Sequence, residues 1–280
     1  MKVSSNITAM MTVANMNIAN NSAAKVMERL SSGLKINSAK DNPAGLAIAN
    51  KLSTQVKGLS QANDNVMNGI SMIQTAEGAM NEVHSMLNRM KELTVQGLNE
   101  TLTESDRENV QLEMDELIEE IKTIQKNTEF NQTNMLNMES NIMIQTGANA
   151  SQALTINGSD INLDQTIEII DGLKFEDELQ EANQNNPDYK DMLTRIDEAI
   201  QMTSSIRGKL GAYQNRLEHT ATNLGVSEEN TVASLSRIED ADMAEEMTNY
   251  TQYNVISQAG IAMLAQANQR PQQVLQILNS

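Results

Sequence analysis

The chain has 280 residues, 39% of them hydrophobic, with a pI near 4.5 and a formal net charge of −17. Two Phe, four Tyr and no Trp give little bulky surface for a deep globular core, so nineteen Met and the aliphatic residues must fill the interior, as suits helices packed side by side. Singly spread Lys and Arg on an acidic chain exclude a nucleic-acid binder, and the absence of cysteine excludes disulfides and thiolate metal sites.

The charge is unevenly placed. Residues 1–60 hold seven Lys/Arg against two Asp/Glu, and Arg270 is the one charged side chain over 249–280, which leaves a net −23 between the two ends. Apolar, amide-rich ends around a charged middle are arranged to be buried against something, and another chain is the expected partner. The first thirty positions contain no apolar core of a cleaved secretion signal, and no run approaches the ~20 residues of a membrane helix. The expectation is no membrane partner and, for an exported protein, a route other than general secretion.

Near the N-terminus Ile7, Met11, Ala14 and Ile18 fall on one helical face. Asn42-Pro43 reads as a cap followed by Pro in the first helical position, where its missing N–H costs nothing. The first heptad series then runs Leu59, Ala62, Val66, Gly69, Ile73, Ala76, Met80, Val83, Leu87, Met90 in unbroken steps of three and four. Ser105-Asp106-Arg107-Glu108 reads as a capping box opening a second helix, whose seam is predicted at Val110, Met114, Leu117, Ile121 and Ile124. Over about 128–186 the pattern changes to short strands at Asn141-Ile142-Met143-Ile144-Gln145 and Ala153-Leu154-Thr155-Ile156-Asn157, with Gly147 and Gly158 at turns. Thr166-Ile167-Glu168-Ile169 reads as a weaker third strand.

Asn186-Pro187 repeats the cap-and-Pro pair before a third series: Met192, Ile196, Ala199, Thr203, Ile206, Leu210, Tyr213, Leu217, Thr220, Leu224. Sustained spacing of this kind keeps one seam on a partner helix, so the three segments are expected to pack lengthwise as a rod-like bundle. Near the C-terminus Ile256, Ala259, Met263 and Ala267 form another stripe, and Pro271 is expected to interrupt that helix. The two terminal stripes are expected to pair with each other when the middle folds back as a hairpin. The fold class is therefore mainly α: a hairpin-like coiled-coil bundle, a small β-hairpin region, and paired terminal helices as a separate domain.

Little in the chain points to catalysis. His84 and His219 lie on polar flanks of heptad segments, and Asp115-Glu116 and Glu119-Glu120 read as solvated charge. There is no Gly-rich phosphate loop, nucleophile elbow or zinc-protease helix, so the expectation is no enzyme, no cofactor and no metal.

Two motifs identify a family. Leu30-Ser31-Ser32-Gly33-Leu34-Lys35-Ile36-Asn37-Ser38-Ala39-Lys40-Asp41 with Pro43-Ala44-Gly45-Leu46-Ala47-Ile48-Ala49 resembles the N-terminal signature of bacterial flagellin. Ser236-Arg237-Ile238-Glu239-Asp240-Ala241-Asp242-Met243-Ala244-Glu245-Glu246 and Ala262-Met263-Leu264-Ala265-Gln266-Ala267-Asn268-Gln269 resemble its C-terminal signature. Gln145-Thr146-Gly147-Ala148-Asn149 is similar to the family's core hairpin, and Gly211-Ala212-Tyr213-Gln214-Asn215-Arg216-Leu217 to its C-terminal core helix. The resemblance covers nearly the whole chain and implies a short flagellin almost without surface domains.

That resemblance implies a structural subunit of the extracellular flagellar filament. An inner domain of about 1–40 plus 238–280 would face the filament channel, and 41–237 would form the outer bundle, with its short β region at about 128–186. The assembly residues would be Ile7, Met11, Ala14, Ile18, Ile256, Ala259, Met263 and Ala267, with the free ends ordering only on polymerisation. The implied partners are further copies of the chain, the flagellar export chaperone, and cap and junction proteins, after unfolded export through the flagellar type III apparatus. Leu87-Asn88-Arg89-Met90-Lys91-Glu92-Leu93-Thr94-Val95-Gln96 resembles the patch bound by the Toll-like receptor that senses flagellin, which implies contacts from Arg89, Leu93 and Gln96 supported by Glu113. The alternatives are a hook–filament junction protein and an intracellular coiled-coil scaffold. A protease-bearing flagellin is set aside, because no His lies between His84 and His219 and there is no room for an insert.

Overall fold

A computed structural model of the chain describes residues 6–97, 99, 101–138, 140–171, 173 and 187–278, with side chains described throughout except at 187–190 and 270–278. The chain divides into two compact units, Lys57–Glu228 and the pair Met1–Val56 with Glu229–Ser280. The terminal unit takes in 41–56 and 229–237 beyond the expected 1–40 and 238–280.

In the first of these units, the bundle, the long helices α2 (Pro43–Gly97) and α5 (Pro187–Glu239) supply most of the core, joined by α3 (Glu104–Asn127). Every apolar side chain of the first predicted seam, from Leu59 to Met90, is buried, as is Gly69. The third seam holds as well, with Tyr213 and Thr220 half-buried and the others buried. Along α3 the register differs: Val110, Met114, Ile118, Ile121 and Gln125 are buried, while Leu117 and Ile124 are half-buried. The reason is that α3 also packs on a later segment, to which Gln125 donates through Nε2 at Asp164. Lys91–Asp197 (2.6 Å) and Arg207–Glu77 (3.1 Å) bridge α2 and α5 at the rim of the seam.

The cap of α3 also lies two residues earlier than predicted. Thr103 is the N-cap: its Oγ1 accepts from Asp106 N, and Asp106 Oδ2 accepts from Thr103 N at 3.1 Å, so Ser105 and Glu108 take no part in the box. The Asn42 cap before Pro43 is present, with Oδ1 accepting from Gly45 N at 2.9 Å. Asn186, the cap expected before Pro187, lies outside the described residues.

Between α3 and α5 the described residues form two small antiparallel hairpins. The first, β1 (Glu129–Phe130) with β2 (Thr133–Asn134), turns through Asn131 and Gln132, both at positive φ. Asn134 then donates to the Gln125 and Lys126 carbonyls at the end of α3 and accepts from Leu136 N and Asn137 N, which locks the hairpin to the helix. The second hairpin pairs β3 (Ile142–Gln145) with β4 (Ala153–Ile156), Ile142 opposite Ile156. Gly158 sits where a Cβ would meet the carbonyl oxygens of Met138 and Ser140 at 2.6 Å, so the chain needs glycine there. The predicted third strand is instead a short helix, α4 (Asp164–Ile170). Asn162 Oδ1 accepts from Asp164 N in the turn before it, and Thr166 and Ile170, four apart, are buried, so that turn and burial override the β-branched composition.

The terminal unit is built on α1 (Ile7–Ser32) and α6 (Met243–Leu278). Asn6 caps α1, its Oδ1 accepting from Ala9 N at 3.2 Å, and Gly33 ends it in the left-handed region at φ 74°, a conformation that favours glycine. The chain leaving α1 then pairs with the chain entering α6: Lys35 N donates to Glu239 O at 2.6 Å and Ala241 N to Gly33 O at 2.9 Å, around a single bridge between Leu34 and Asp240. Asp242 Oδ1 caps α6 by accepting from Ala244 N and Glu245 N. The two end motifs read from the sequence therefore meet across one junction.

Candidate assembly surface

The α1 and α6 helices pair antiparallel along most of their length. Four contacts fix the register: Arg29 with Glu246 at 3.0 Å, Ser257 Oγ donating to Asn20 Oδ1 at 2.9 Å, Gly260 facing Met16, and Asn6 Nδ2 donating to Ala267 O at 2.8 Å. Along the centre of the contact run Ala9, Thr12, Met16, Ala19, Ala23, Val26 and Leu30 on α1 and Glu246, Tyr250, Tyr253, Ser257, Gly260, Leu264 and Ala267 on α6, with Ser22, Arg29, Asn249 and Asn254 half-buried beside them. Both sets alternate steps of three and four, the spacing of a coiled-coil seam. Ala, Ser and Gly at several of those positions let the two backbones approach closely.

The last of the four contacts corrects the expectation for Pro271. Helix α6 runs through it to Leu278. Proline has no N–H, so the carbonyl four residues back, that of Ala267, lacks its helical donor. The Asn6 side chain supplies that donor, so one residue caps α1 with its oxygen and satisfies α6 with its nitrogen.

The seam is not the one predicted. Ile7 (67% exposed), Met11, Ala14 and Ile18 (64%) on α1 point away from α6, and Ile256, Ala259 and Met263 point away from α1. Of the eight predicted assembly residues Ala267 alone is half-buried, and it lies on the seam. The expected pairing of the two stripes with each other is therefore overturned: a stripe rich in small and polar residues pairs the helices, and many of the larger apolar side chains are left outside. Met10, Val13, Val255 and Ile261 extend that outward surface, and a shallow groove along α6 is lined by Met247, Thr248, Thr251, Gln252, Val255 and Ile256. Composition carried a signal for the seam, in the regular spacing of Ala, Ser, Thr and Gly, but hydrophobic patterning does not weigh such residues.

The residues predicted for receptor binding lie in the bundle. Arg89 is half-exposed and held by two carboxylates, Glu113 at 2.8 Å from Nη2 and Glu92 at 3.1 Å from Nη1. Gln96 is exposed one heptad further along α2. Leu93 is 1% exposed and belongs to the core, so its side chain holds α2 in the bundle and is not displayed on the surface. His84 is half-buried and His219 exposed; among the described residues no group of three His, Asp or Glu is placed to hold a metal ion, and no helix is long and apolar enough to cross a membrane.

Long antiparallel helices with a self-contained core at one part of the chain and outward apolar faces at the other define a coiled-coil structural protein. The chain matches the bacterial flagellin N-terminal helical region over residues 3–141 and the flagellin C-terminal helical region over 193–278. It is 45% identical to a flagellin of Halalkalibacterium halodurans over 279 residues, covering 99% of this chain and all of that one, and 42% identical to a flagellin of Bacillus subtilis over 305 residues, covering 99% and all. A solved structure described as a putative flagellar hook-associated protein from Vibrio parahaemolyticus has a TM-score of 0.54 at 14% identity, over 71% of this chain and all of that one, a likeness of fold alone. The chain belongs to the bacterial flagellin family: it is a filament subunit and not an enzyme.

Proposed function

We propose that this chain polymerises outside the cell through the outward faces of α1 and α6, with the terminal unit lining the filament channel and the acidic bundle facing water. The observation that carries this reading is the apolar face of Ile7, Met10, Met11 and Ile18, with its counterpart of Val255, Ile256, Ile261 and Met263, left uncovered by the chain's own pairing. A row of exposed apolar side chains of this kind marks a surface for another protein. Copies that meet through unlike patches make contacts that do not close, and so extend into an open helix. The same exposed faces suit the export chaperone before assembly and the cap and junction proteins at the filament's ends, and a chain without cysteine suits unfolded passage through the flagellar type III apparatus.

A junction role is the alternative, and growth separates the two. Depolymerised subunits added to filament seeds at neutral pH are expected to elongate them, as imaged by electron microscopy, and removal of 249–280 to abolish elongation. Intact subunits that leave seeds unextended contradict the filament reading.

A second reading rests on Arg89 and Glu113, an ion pair displayed on two adjacent helices. Arg89, Gln96 and Glu113 offer the flagellin-sensing Toll-like receptor a charged, partly desolvated anchor, while Leu93 acts from beneath. Arg89→Ala is expected to weaken receptor binding at least tenfold and leave elongation unchanged; unaltered affinity rejects the assignment.

A further inference from the structure

Among the nineteen methionines of this chain, two groups differ sharply in their surroundings. In the bundle Met80, Met90 and Met114 are fully buried and do the work of core aliphatics. In the terminal unit Met10 (69% exposed), Met11 (63%), Met247 and Met263 (62%) stand on the outward faces of α1 and α6. Leucine or isoleucine would provide the same apolar area without a reactive atom. A thioether in that place adds one property, its susceptibility to peroxide.

We propose that Met10, Met11, Met247 and Met263 form a modification site at which peroxide oxidation makes the free subunit incompetent for assembly. The inference rests on the filament reading above. Each thioether sulfur attacks one oxygen of hydrogen peroxide; an S–O bond forms, the O–O bond breaks, the sulfur gives up two electrons and the peroxide leaves as water. The product is a polar sulfoxide with a strong acceptor oxygen. A neighbouring copy that covers it must either hydrogen-bond that oxygen or bury it unpaired, and an apolar face offers no donor. One sulfoxide in this set therefore weakens subunit addition by roughly tenfold, within the range for burying an unpaired polar group.

Exposure also gives the site a direction. Before assembly the four sulfurs are open to solvent, and in the filament the neighbouring copy covers them, so oxidation acts on the subunit in transit and spares the finished fibre. The buried Met80, Met90 and Met114 are shielded in both states by the bundle core. Met67, Met143 and Met202, exposed on the bundle, oxidise in the free subunit without touching the terminal faces.

The test is a selection. Free subunits are treated with hydrogen peroxide to about one sulfoxide per chain, peroxide is removed, filament seeds are added, and peptide mass spectrometry compares the incorporated with the unincorporated pool. Sulfoxide at Met10, Met11, Met247 and Met263 is expected to be depleted roughly tenfold in the filament. Sulfoxide at Met202 serves as the internal reference for chains that remain competent. Reduction of the unincorporated pool with methionine sulfoxide reductases A and B is expected to restore its elongation. Equal sulfoxide content of the two pools at the four positions overturns the proposal while leaving the filament reading intact; untreated subunits that do not elongate at all sink both. As a second arm, the quadruple Met→Leu variant, a nearly volume-conserving change, is expected to keep elongating after peroxide. Loss of elongation equal to that of the unmodified sequence contradicts the assignment.

Discussion

Along α2 in the bundle, Val66, Ala76, Met80, Val83, Leu87 and Met90 follow one another with no exposure, whereas along α1 only Ala19 and Val26 are buried while Ile7, Met10, Met11 and Ile18 lie open. Both helices carry a three-four seam. In the bundle that seam is made mostly of large apolar side chains, and its helices share further cover from the hairpins and α4. In the terminal unit Ala, Ser, Thr and Gly fill half of the seam, and a row of large apolar side chains stands on the other side. Ile36 and Ala49 complete the buried apolar set of the terminal unit among the described residues. A heptad thus has two uses in this molecule: one closes a core within a chain, and the other joins two helices thinly enough to leave apolar surface for a neighbour.

The sharpest break of that comparison places charge on the outward faces. Ile18→Asp with Ile256→Asp is expected to reduce seeded elongation more than a hundredfold, on the order of 3 kcal/mol for two desolvated carboxylates, while the urea midpoint of bundle unfolding stays where it was. Next comes a core truncation. Leu87→Ala is expected to cost the bundle about 2–5 kcal/mol in chemical unfolding, with seed recognition by the surviving folded fraction unchanged.

A smaller effect is expected at the crossing of α1 and α6. Asn6→Ala removes a cap and the donor to Ala267 O, and Pro271→Ala restores the helical N–H to the same carbonyl. The two changes are therefore coupled by about 0.5–1.5 kcal/mol, the worth of one hydrogen bond, measurable as non-additive shifts in filament melting. Two independent effects that simply add contradict the shared role of that carbonyl.

The smallest effect is one of pH. The side-chain hydrogen bond from Lys209 and the one from Tyr213 hold the Asp160 carboxyl below the usual carboxylate range, against the opposing effect of burial. A depressed carboxylate contributes stability that is complete above the unfolded value and is lost as the pH falls through the folded one. Asp160→Asn is expected to lower bundle stability slightly at neutral pH and to flatten its decline in acid; identical acid profiles reject the role of this pair.

How much of this was legible depended on residue size. The seams of α2 and α5 were readable because Leu, Ile, Val and Met at heptad spacing have one plausible use. On α3 the register slipped, since Leu117 and Ile124 are as apolar as Ile118, and the decision fell to Gln125 reaching Asp164 on a distant segment. Thr166, Ile167, Ile169 and Ile170 carry strand propensity, and the turn in which Asn162 accepts from Asp164 N, together with burial of Thr166 and Ile170, makes them helical. The β1–β2 hairpin is too short for any periodicity. Apolar spacing marks the terminal stripes but not what they face, because many of the side chains that pair α1 with α6 are small or polar. Resemblance places Leu93 in the receptor patch, and burial removes it from the surface.

The central claim is that the bundle is complete within one chain while α1 and α6 are completed by neighbours. Backbone amide hydrogen exchange on free subunits and on filaments tests it most directly. The account predicts that amides over 61–96 and 192–224 are strongly protected in both states, and that those over 7–30 and 247–269 exchange quickly in the free subunit and slow by roughly a hundredfold or more in the filament. Terminal helices protected equally in both states, or left unprotected by assembly, would contradict it.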